Sequence, residues 1–130
     1  MASIFTKIVN GDIPCHKIAE TEDFLAFLDI NPLAEGHTLV IPKKEVDYIF
    51  DIEEELLSGI LIFARKVAKA LAVTVPCERV GLTVIGLEVP HAHVHLIPIN
   101  TIGDMNFEKP KLTVPHKKLA ELAENIREQL

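Results

Sequence analysis

HAHVHLIP, at residues 91–98, carries a histidine at every second position, with apolar residues between them. A period of two is the spacing of a β-strand, in which successive side chains point to opposite faces. The pattern therefore predicts a strand over residues 91–99, with His91, His93 and His95 all on one face. The alanine, valine and leucine of the other face are expected to pack on a hydrophobic core.

Four further strands are predicted by short apolar runs that polar, proline or glycine residues bound. Three of them, over residues 16–20, 23–30 and 37–43, follow one another closely and are expected to form an antiparallel meander. The fourth, over residues 79–86, precedes the histidine strand, to which the short sequence LEVP joins it. The sequence thus predicts a sheet of about five strands.

Two helices are predicted from apolar residues that recur at spacings of three and four. The first runs from Asp51, the expected N-cap, to about Val73, and glutamates in its first turn complement the helix dipole. The second follows Pro115 and presents on one side Leu119, Leu122, Ile126 and Leu130. The predicted fold class is α+β, an antiparallel sheet with one long and one C-terminal helix packed on one face.

Length and charge exclude several classes of protein. A chain of 130 residues has the size of a single domain, expected over residues 1–130. A formal net charge of −6 argues against a surface that binds a nucleic acid duplex through its phosphates. Neither a membrane-spanning run nor a secretory signal is expected. Cys15 and Cys77 are expected to be reduced thiols, so the cytoplasm is the expected compartment.

Clustered histidines suggest three kinds of chemistry. The first is zinc binding, but zinc ligands lie about 2.0–2.1 Å from the ion, whereas His91 and His95 would be about 13 Å apart along a strand. The second is nucleophilic catalysis, in which a neutral imidazole attacks phosphorus while its neighbours donate hydrogen bonds to phosphoryl oxygens. The third is a solvated strand face with no chemistry. The spacing favours catalysis, so neither a metal nor another cofactor is expected.

The same stretch resembles the signature of the histidine triad family, His-x-His-x-His followed by apolar residues. The family's glycine-led approach to the triad is matched by GLEVP at residues 86–90. Its nucleotide-binding strand pair, in which an aspartate closes the first strand and Gly-His opens the second, is matched by FLAFLDINPLAEGHTLVIPKK at residues 24–44. With IFTKIVNGDIP at residues 4–14, the resemblance covers most of residues 3–100.

This resemblance implies a hydrolase of purine nucleoside phosphoramidates or related nucleotide conjugates, and hence a small nucleotide as its ligand. It implies that His93 attacks the α-phosphorus and carries the nucleotidyl group, supported by His91, His95 and His37. Asp29 would accept hydrogen bonds from the ribose hydroxyls. The implied apolar wall around the base consists of Ile4, Phe5, Ile8, Phe27 and Ile30. Members of the branch of the family that this chain most resembles form homodimers and generally need no metal for the chemistry.

The chain also departs from the family's pattern. Leu87 and Glu88 replace the glutamine and the serine or threonine that many relatives carry after the lead-in glycine, so Glu88 brings a carboxylate towards an anionic substrate. A non-catalytic nucleotide-binding or regulatory module on the same fold is therefore the alternative. Ser3 and Thr6 stand where some bacterial relatives carry a zinc-binding Cys-x-x-Cys, which weakens the metal hypothesis.

The residues themselves also predict a homodimer. The long helix carries apolar residues outside its main stripe, namely Leu57, Leu61 and Ile62. One small sheet cannot cover all of them, so a second copy of the chain is expected to do so.

Overall fold

A computed structural model describes residues 1–130. The strands are β1 (Lys17–Glu20), β2 (Phe24–Leu28), β3 (Thr38–Pro42), β4 (Arg79–Thr83) and β5 (Val94–Ile99). The helices are α1 (Ile4–Val9), α2 (Glu54–Thr74) and α3 (His116–Arg127), with short 3-10 turns at Ile49–Asp51 and Ile102–Met105. All strands pair antiparallel in the order β1-β2-β3-β5-β4. The α+β class and the five-stranded sheet are confirmed.

The sheet is covered on both faces. On one face, apolar residues of α2 and α3 pack with strand residues such as Val40, Val94 and Leu96 in the main core. On the other face, Phe5 of α1 packs in a smaller cluster with Leu25, Phe27, Leu39 and Ile41. The two predicted helices therefore lie on one face as expected, whereas α1 was not predicted and lies on the other.

The long helix has different ends from those predicted. Asp51 belongs to a 3-10 turn, and Glu53 stands at the N-cap position without a side-chain hydrogen bond. Asp51 as the N-cap is therefore wrong, because the chain passes through the buried Ile52 before the helix starts. The helix stops at Thr74, since the residue before Pro76 is disfavoured in the helical conformation.

The C-terminal helix starts directly after Pro115, as predicted. Leu119, Leu122 and Ile126 are buried on its inner side, whereas Leu130 lies beyond the helix end and is exposed. None of the three helices combines the length and the apolarity needed to cross a bilayer. Both cysteines of the chain are free thiols.

The histidine strand is shorter than predicted at its start. β5 begins only at Val94, and in the register of β3 with β5 the second pair beyond Val40 and Val94 would place Ala92 opposite Pro42. Because a proline has no N–H to donate, the ladder does not extend to that pair. The Ala92 N–H instead donates to the Val46 carbonyl at 2.7 Å. β4 likewise ends at Thr83, before the predicted residue 86.

The loop between β2 and β3 needs a glycine to deliver His37 to the sheet. Gly36 has a φ of +92°, a conformation that side-chain-bearing residues rarely adopt. A Cβ there would also lie 2.9 Å from a methyl group of Leu71 on α2. The loop can therefore pack closely on α2, and β3 starts immediately after His37.

Candidate active site

A cavity of about 290 Å³ opens on the face of the sheet that α1 covers. Eleven of its nineteen lining residues are hydrophobic, so most of its wall suits an apolar ring system rather than a highly charged ligand. The residues predicted to bind a nucleotide all line it: Ile4, Phe5, Ile8, Phe27, Asp29, Ile30 and Glu88. Three of the four predicted catalytic histidines line it as well: His37, His93 and His95.

His91 does not line this cavity. Its side chain is fully buried, and its Nε2–H donates to the Pro42 carbonyl at 2.7 Å. The proton on Nε2 leaves Nδ1 as an acceptor, and the Ser3 hydroxyl donates to it at 2.8 Å. The prediction that three rings share one strand face is therefore wrong, because the strand begins only after the first two histidines. His91 has no free nitrogen to offer a phosphate.

A hydrogen-bonded network ties His91 to the start of α1. Ser3 is the N-cap of that helix, and its hydroxyl accepts from the Thr6 backbone N–H at 3.0 Å. The Thr6 hydroxyl and the Ser3 backbone N–H both donate to the same Glu45 carboxylate oxygen at 2.6 Å. These hydrogen bonds, first that from Thr6, lower the pKa of Glu45 to about 2. The network thus joins α1, the segment after β3 and the first triad histidine.

His93 lines the cavity and has one ring nitrogen without a protein partner. Its Nδ1–H donates to the backbone carbonyl of His91 at 2.8 Å. In the neutral ring the remaining nitrogen, Nε2, then carries a lone pair and has no protein partner. The ring is buried, stands edge-on to Phe5 at 5.0 Å between centroids and lies 4.8 Å from the ring of His95. An imidazole held in this way is suited, in its neutral form, to nucleophilic attack.

His37 and His95 form a pair whose protons are fixed by one backbone contact. The Leu33 N–H donates to Nδ1 of His37 at 3.0 Å, so the proton of neutral His37 is on Nε2. That Nε2–H donates to Nδ1 of His95 at 2.9 Å. The proton of His95 is therefore on its own Nε2, where it is free to donate to a ligand. His95 thus supplies a donor directly beside the lone pair of His93.

Burial keeps these histidines neutral. Desolvation is the largest cause that lowers the pKa of His37 to about 4 and that of His95 to about 3, and the Lys111 ammonium lowers both further. Desolvation also lowers the pKa of His91, although its hydrogen bond to Pro42 opposes the change. The hydrogen bonds and the lowered pKa values both indicate that the rings of His37, His91 and His95 are neutral around pH 7.

Asp29 follows β2 and lines the cavity beside the histidine pair. One of its carboxylate oxygens accepts the Asn31 N–H at 2.8 Å, and the other lies 3.7 Å from Nε2 of His37. Burial raises the pKa of this carboxyl, while the Asn31 hydrogen bond and the Lys111 ammonium lower it. Two oxygens at the cavity wall, one of them without a hydrogen-bond donor, can accept from a vicinal diol.

The same place offers a set of ligand atoms for a metal. One ligand atom each from Asp29, His37 and His95 lie within 4.8 Å of one another. Binding an ion through these atoms would require breaking the hydrogen bond between the two histidines. The triad histidines do not form such a set together, because both nitrogens of His91 are already used.

Two prominent cavity residues were not predicted. Phe107 and Lys111 follow β5 and line the cavity beside the histidines. The Phe107 ring stands edge-on to the His95 ring at 4.7 Å between centroids. The sequence around them has no periodicity or motif, and the only signal was a lone aromatic residue and a lysine in a polar stretch.

A family model described as the HIT domain matches residues 10–102. The chain belongs to the HIT family. It is 43% identical over 103 residues to an adenosine 5′-monophosphoramidase of Schizosaccharomyces pombe, a match that covers 75% of this chain and 74% of that protein. The resemblance to the histidine triad family is thereby confirmed.

Solved structures of HIT proteins have the same fold. A HIT-like protein involved in cell-cycle regulation from Bartonella henselae is 32% identical, with a TM-score of 0.85 over 98% of this chain and 96% of that one. A zinc-bound histidine triad family protein from Mycobacterium smegmatis is 27% identical, with a TM-score of 0.83 over 99% of this chain and 93% of that one. The HIT model match ends at residue 102, before Phe107 and Lys111, whereas the structural match to the Bartonella henselae protein extends over nearly the whole chain.

Proposed function

We propose that this protein is a nucleotidyl hydrolase that acts on purine nucleoside phosphoramidates or related nucleotide conjugates. The observation that carries the proposal is the lone pair on Nε2 of His93 beside the free Nε2–H of His95. The adenosine 5′-monophosphoramidase named among its relatives supports the substrate class. No cofactor takes part in the proposed reaction.

In the proposed reaction the base lies against the apolar wall and Asp29 accepts hydrogen bonds from the ribose hydroxyls. Nε2 of His93 attacks the α-phosphorus, and the bond to the leaving group breaks; an amine leaves with that electron pair and takes a proton from water. His95 donates its Nε2–H to a phosphoryl oxygen as negative charge develops. Water then attacks the phosphorus and gives up a proton to the hydroxide left by the first step, the bond to His93 breaks with its electron pair returning to Nε2, and the nucleoside monophosphate is released. His91 acts through its carbonyl oxygen, which holds the ring of His93.

A panel of adenosine and guanosine phosphoramidates and phosphoanhydrides tests this function through release of the monophosphate. His93→Ala should lose several orders of magnitude in turnover and still bind the monophosphate, since only the attacking atom is removed. His16→Ala, a change at a histidine outside the cavity, should retain full turnover. Rapid quenching without acid, followed by mass spectrometry, should detect a nucleotidyl adduct on His93. Normal turnover by His93→Ala, or activity that EDTA abolishes and zinc restores, would contradict the mechanism.

A non-catalytic nucleotide-binding module is the second candidate. It is favoured by Glu88, whose exposed carboxylate lines the cavity where an anionic substrate would enter. The neighbouring Leu87 is also exposed and offers no polar group to a phosphate. The panel separates the two candidates, because a binding module would take up the monophosphate and release none from any conjugate.

We also propose that the chain is a homodimer, as expected from its exposed apolar residues. Leu61 and Ile62 on α2 remain 56% exposed. β4 is an edge strand of the sheet, and its Leu82 is exposed as well. The cytoplasm remains the proposed compartment, because it keeps free thiols such as Cys15 and Cys77 reduced.

A further inference from the structure

Residues 107–112 form a strap over the histidine end of the cavity. The ring of Phe107 packs edge-on against His95. At the other end, the Leu112 N–H donates to the Pro32 carbonyl at 2.8 Å, which attaches the strap to the loop between β2 and β3. The strap is thus fixed at both ends and borders the space in which the phosphate of a nucleotide would lie.

Lys111 lies on this strap, and its ammonium makes a single hydrogen bond to the protein, which a ligand could replace. Its Nζ donates to the Phe107 carbonyl at 2.7 Å and lies 5.2 Å from the centroid of that ring. The side chain is exposed, and a lysine has a flexible four-carbon stem. The ammonium can therefore turn from the carbonyl to a phosphoryl oxygen without leaving a buried group unpaired.

The charges around the cavity give this lysine a particular role. Lys111 is the only lysine or arginine among the lining residues, whereas Asp29 and Glu88 contribute two carboxylates. His37 and His95 do not offset these carboxylates, because both are neutral around pH 7. A phosphate that enters the cavity therefore meets two like charges and one opposite charge.

We propose that Lys111 binds the phosphate of the nucleotide and thereby strengthens this chain's preference for a nucleotide over the corresponding nucleoside. The inference rests on the proposed function and adds a phosphate contact to it. Lys111 lies in the C-terminal segment, beyond the residues that the HIT model matches.

Calorimetric titration of the full chain with adenosine 5′-monophosphate and with adenosine tests this. Lys111→Gln should raise the Kd for the monophosphate about tenfold, the size of one charge-assisted hydrogen bond. Its Kd for adenosine should be unchanged. Lys111→Arg keeps the charge and should stay within about threefold of the wild type. Lys109→Gln, on the same strap but not in the cavity lining, should change neither Kd.

The outcomes separate this inference from the proposed function. If the wild type binds the monophosphate and Lys111→Gln binds it equally well, the phosphate contact is wrong and the proposed function stands. If Lys111→Gln weakens both ligands by the same factor, the residue maintains the strap, and the inference is again wrong. If the wild type binds neither ligand, the proposed function and the inference both fail. Higher salt should weaken monophosphate binding to the wild type more than to Lys111→Gln. Dissolved ions screen the attraction between the Lys111 ammonium and the phosphate, which the variant lacks.

Discussion

At the level of single residues, the site depends on histidines that stay neutral in the folded chain. A lone pair on His93 requires its Nδ1–H to remain with the His91 carbonyl. A donor on His95 requires the hydrogen bond that His37 donates to it. A second proton on either member of that pair would place a charge in a buried position, which burial disfavours. The chemistry and the folding free energy therefore depend on the same protonation state.

We expect the free energy of unfolding to decrease as the pH falls below 6.5. In the unfolded chain His37 and His95 gain a proton near their ordinary pKa of 6.5, whereas in the folded chain the pKa values are about 4 and about 3. Between these values the unfolded chain binds more protons, so stability is fully present above pH 6.5 and is lost as the pH falls. At a pH of about 5.5 the two histidines together should remove about 3 kcal/mol.

Urea unfolding at about pH 7.5 and about pH 5.5, at one protein concentration, measures this loss. Glu20 and Glu45 contribute little in that window, because their pKa values are lowered to about 2 and both stay ionised throughout it. His116→Asn, a change in an exposed histidine pair, should keep the same pH dependence. An unfolding free energy that is equal at the two pH values would contradict a neutral pair.

The sequence identified most of the cavity's residues but not all of their positions. His93, His95 and Asp29 were found from the triad motif and the resemblance, because both depend on local residue patterns. The position of His91 could not be predicted, since a period of two gives a direction only inside a strand and the pairing of β3 with β5 ends at Val40 and Val94. No sequence pattern pointed to Lys111, because its position depends on the hydrogen bond that the neighbouring Leu112 N–H donates to the Pro32 carbonyl.

At the level of elements, the short helix α1 supports two of the triad histidines. It has only six residues, yet its N-cap Ser3 holds His91 and its Phe5 packs on His93. A helix this short gives no readable periodicity and is unstable in isolation. It forms here because tertiary contacts and a cap stabilise it, which is why the sequence pattern did not predict it.

Ser3→Ala should lower kcat more than it changes KM. The substitution removes the N-cap, which contributes about 0.5–2 kcal/mol, and leaves Nδ1 of buried His91 without its 2.8 Å donor. His91 can then shift, and with it the carbonyl that holds the proton of His93. Because Ser3 does not line the cavity, monophosphate affinity should be retained.

Ser3→Thr is the matched control, because it retains a hydroxyl that can cap the helix and donate to His91. Steady-state kinetics of both variants, with nitrogen NMR of the His93 ring as a report of its tautomer, measure the effect. If Ser3→Ala loses stability but keeps its kcat and the His93 tautomer, the network only caps the helix and does not position His93.

The longer elements were predictable because their patterns repeat. Residues 54–74 present Ile60, Phe63, Val67 and Leu71 to the core at the spacings that the sequence predicted. Their ends were harder to predict, since a helix start depends on how the preceding turn is buried. The strands were each found but came out shorter, because their last pairs depend on partners that lie far away in the sequence.

At the level of the whole molecule, the fold leaves apolar residues on the outer side of α2 uncovered. α2 buries its inner stripe on the sheet, and its Leu61 and Ile62 still face outward. The sheet is also open along β4, whose outer edge has no strand beside it. Exposed apolar residues next to an open strand edge favour association with another copy of the chain.

We therefore expect light scattering at micromolar concentration to give a mass close to twice the 14.4 kDa of one chain. Leu61→Glu should shift the mass to that of one chain, because it would bury a carboxylate without a partner in the proposed interface. Lys66→Glu, a change at an exposed polar position of the same helix, should leave the mass unchanged. A wild-type mass near 14.4 kDa would contradict the dimer. A Leu61→Glu variant that keeps the double mass would instead show that the two copies meet without this part of α2.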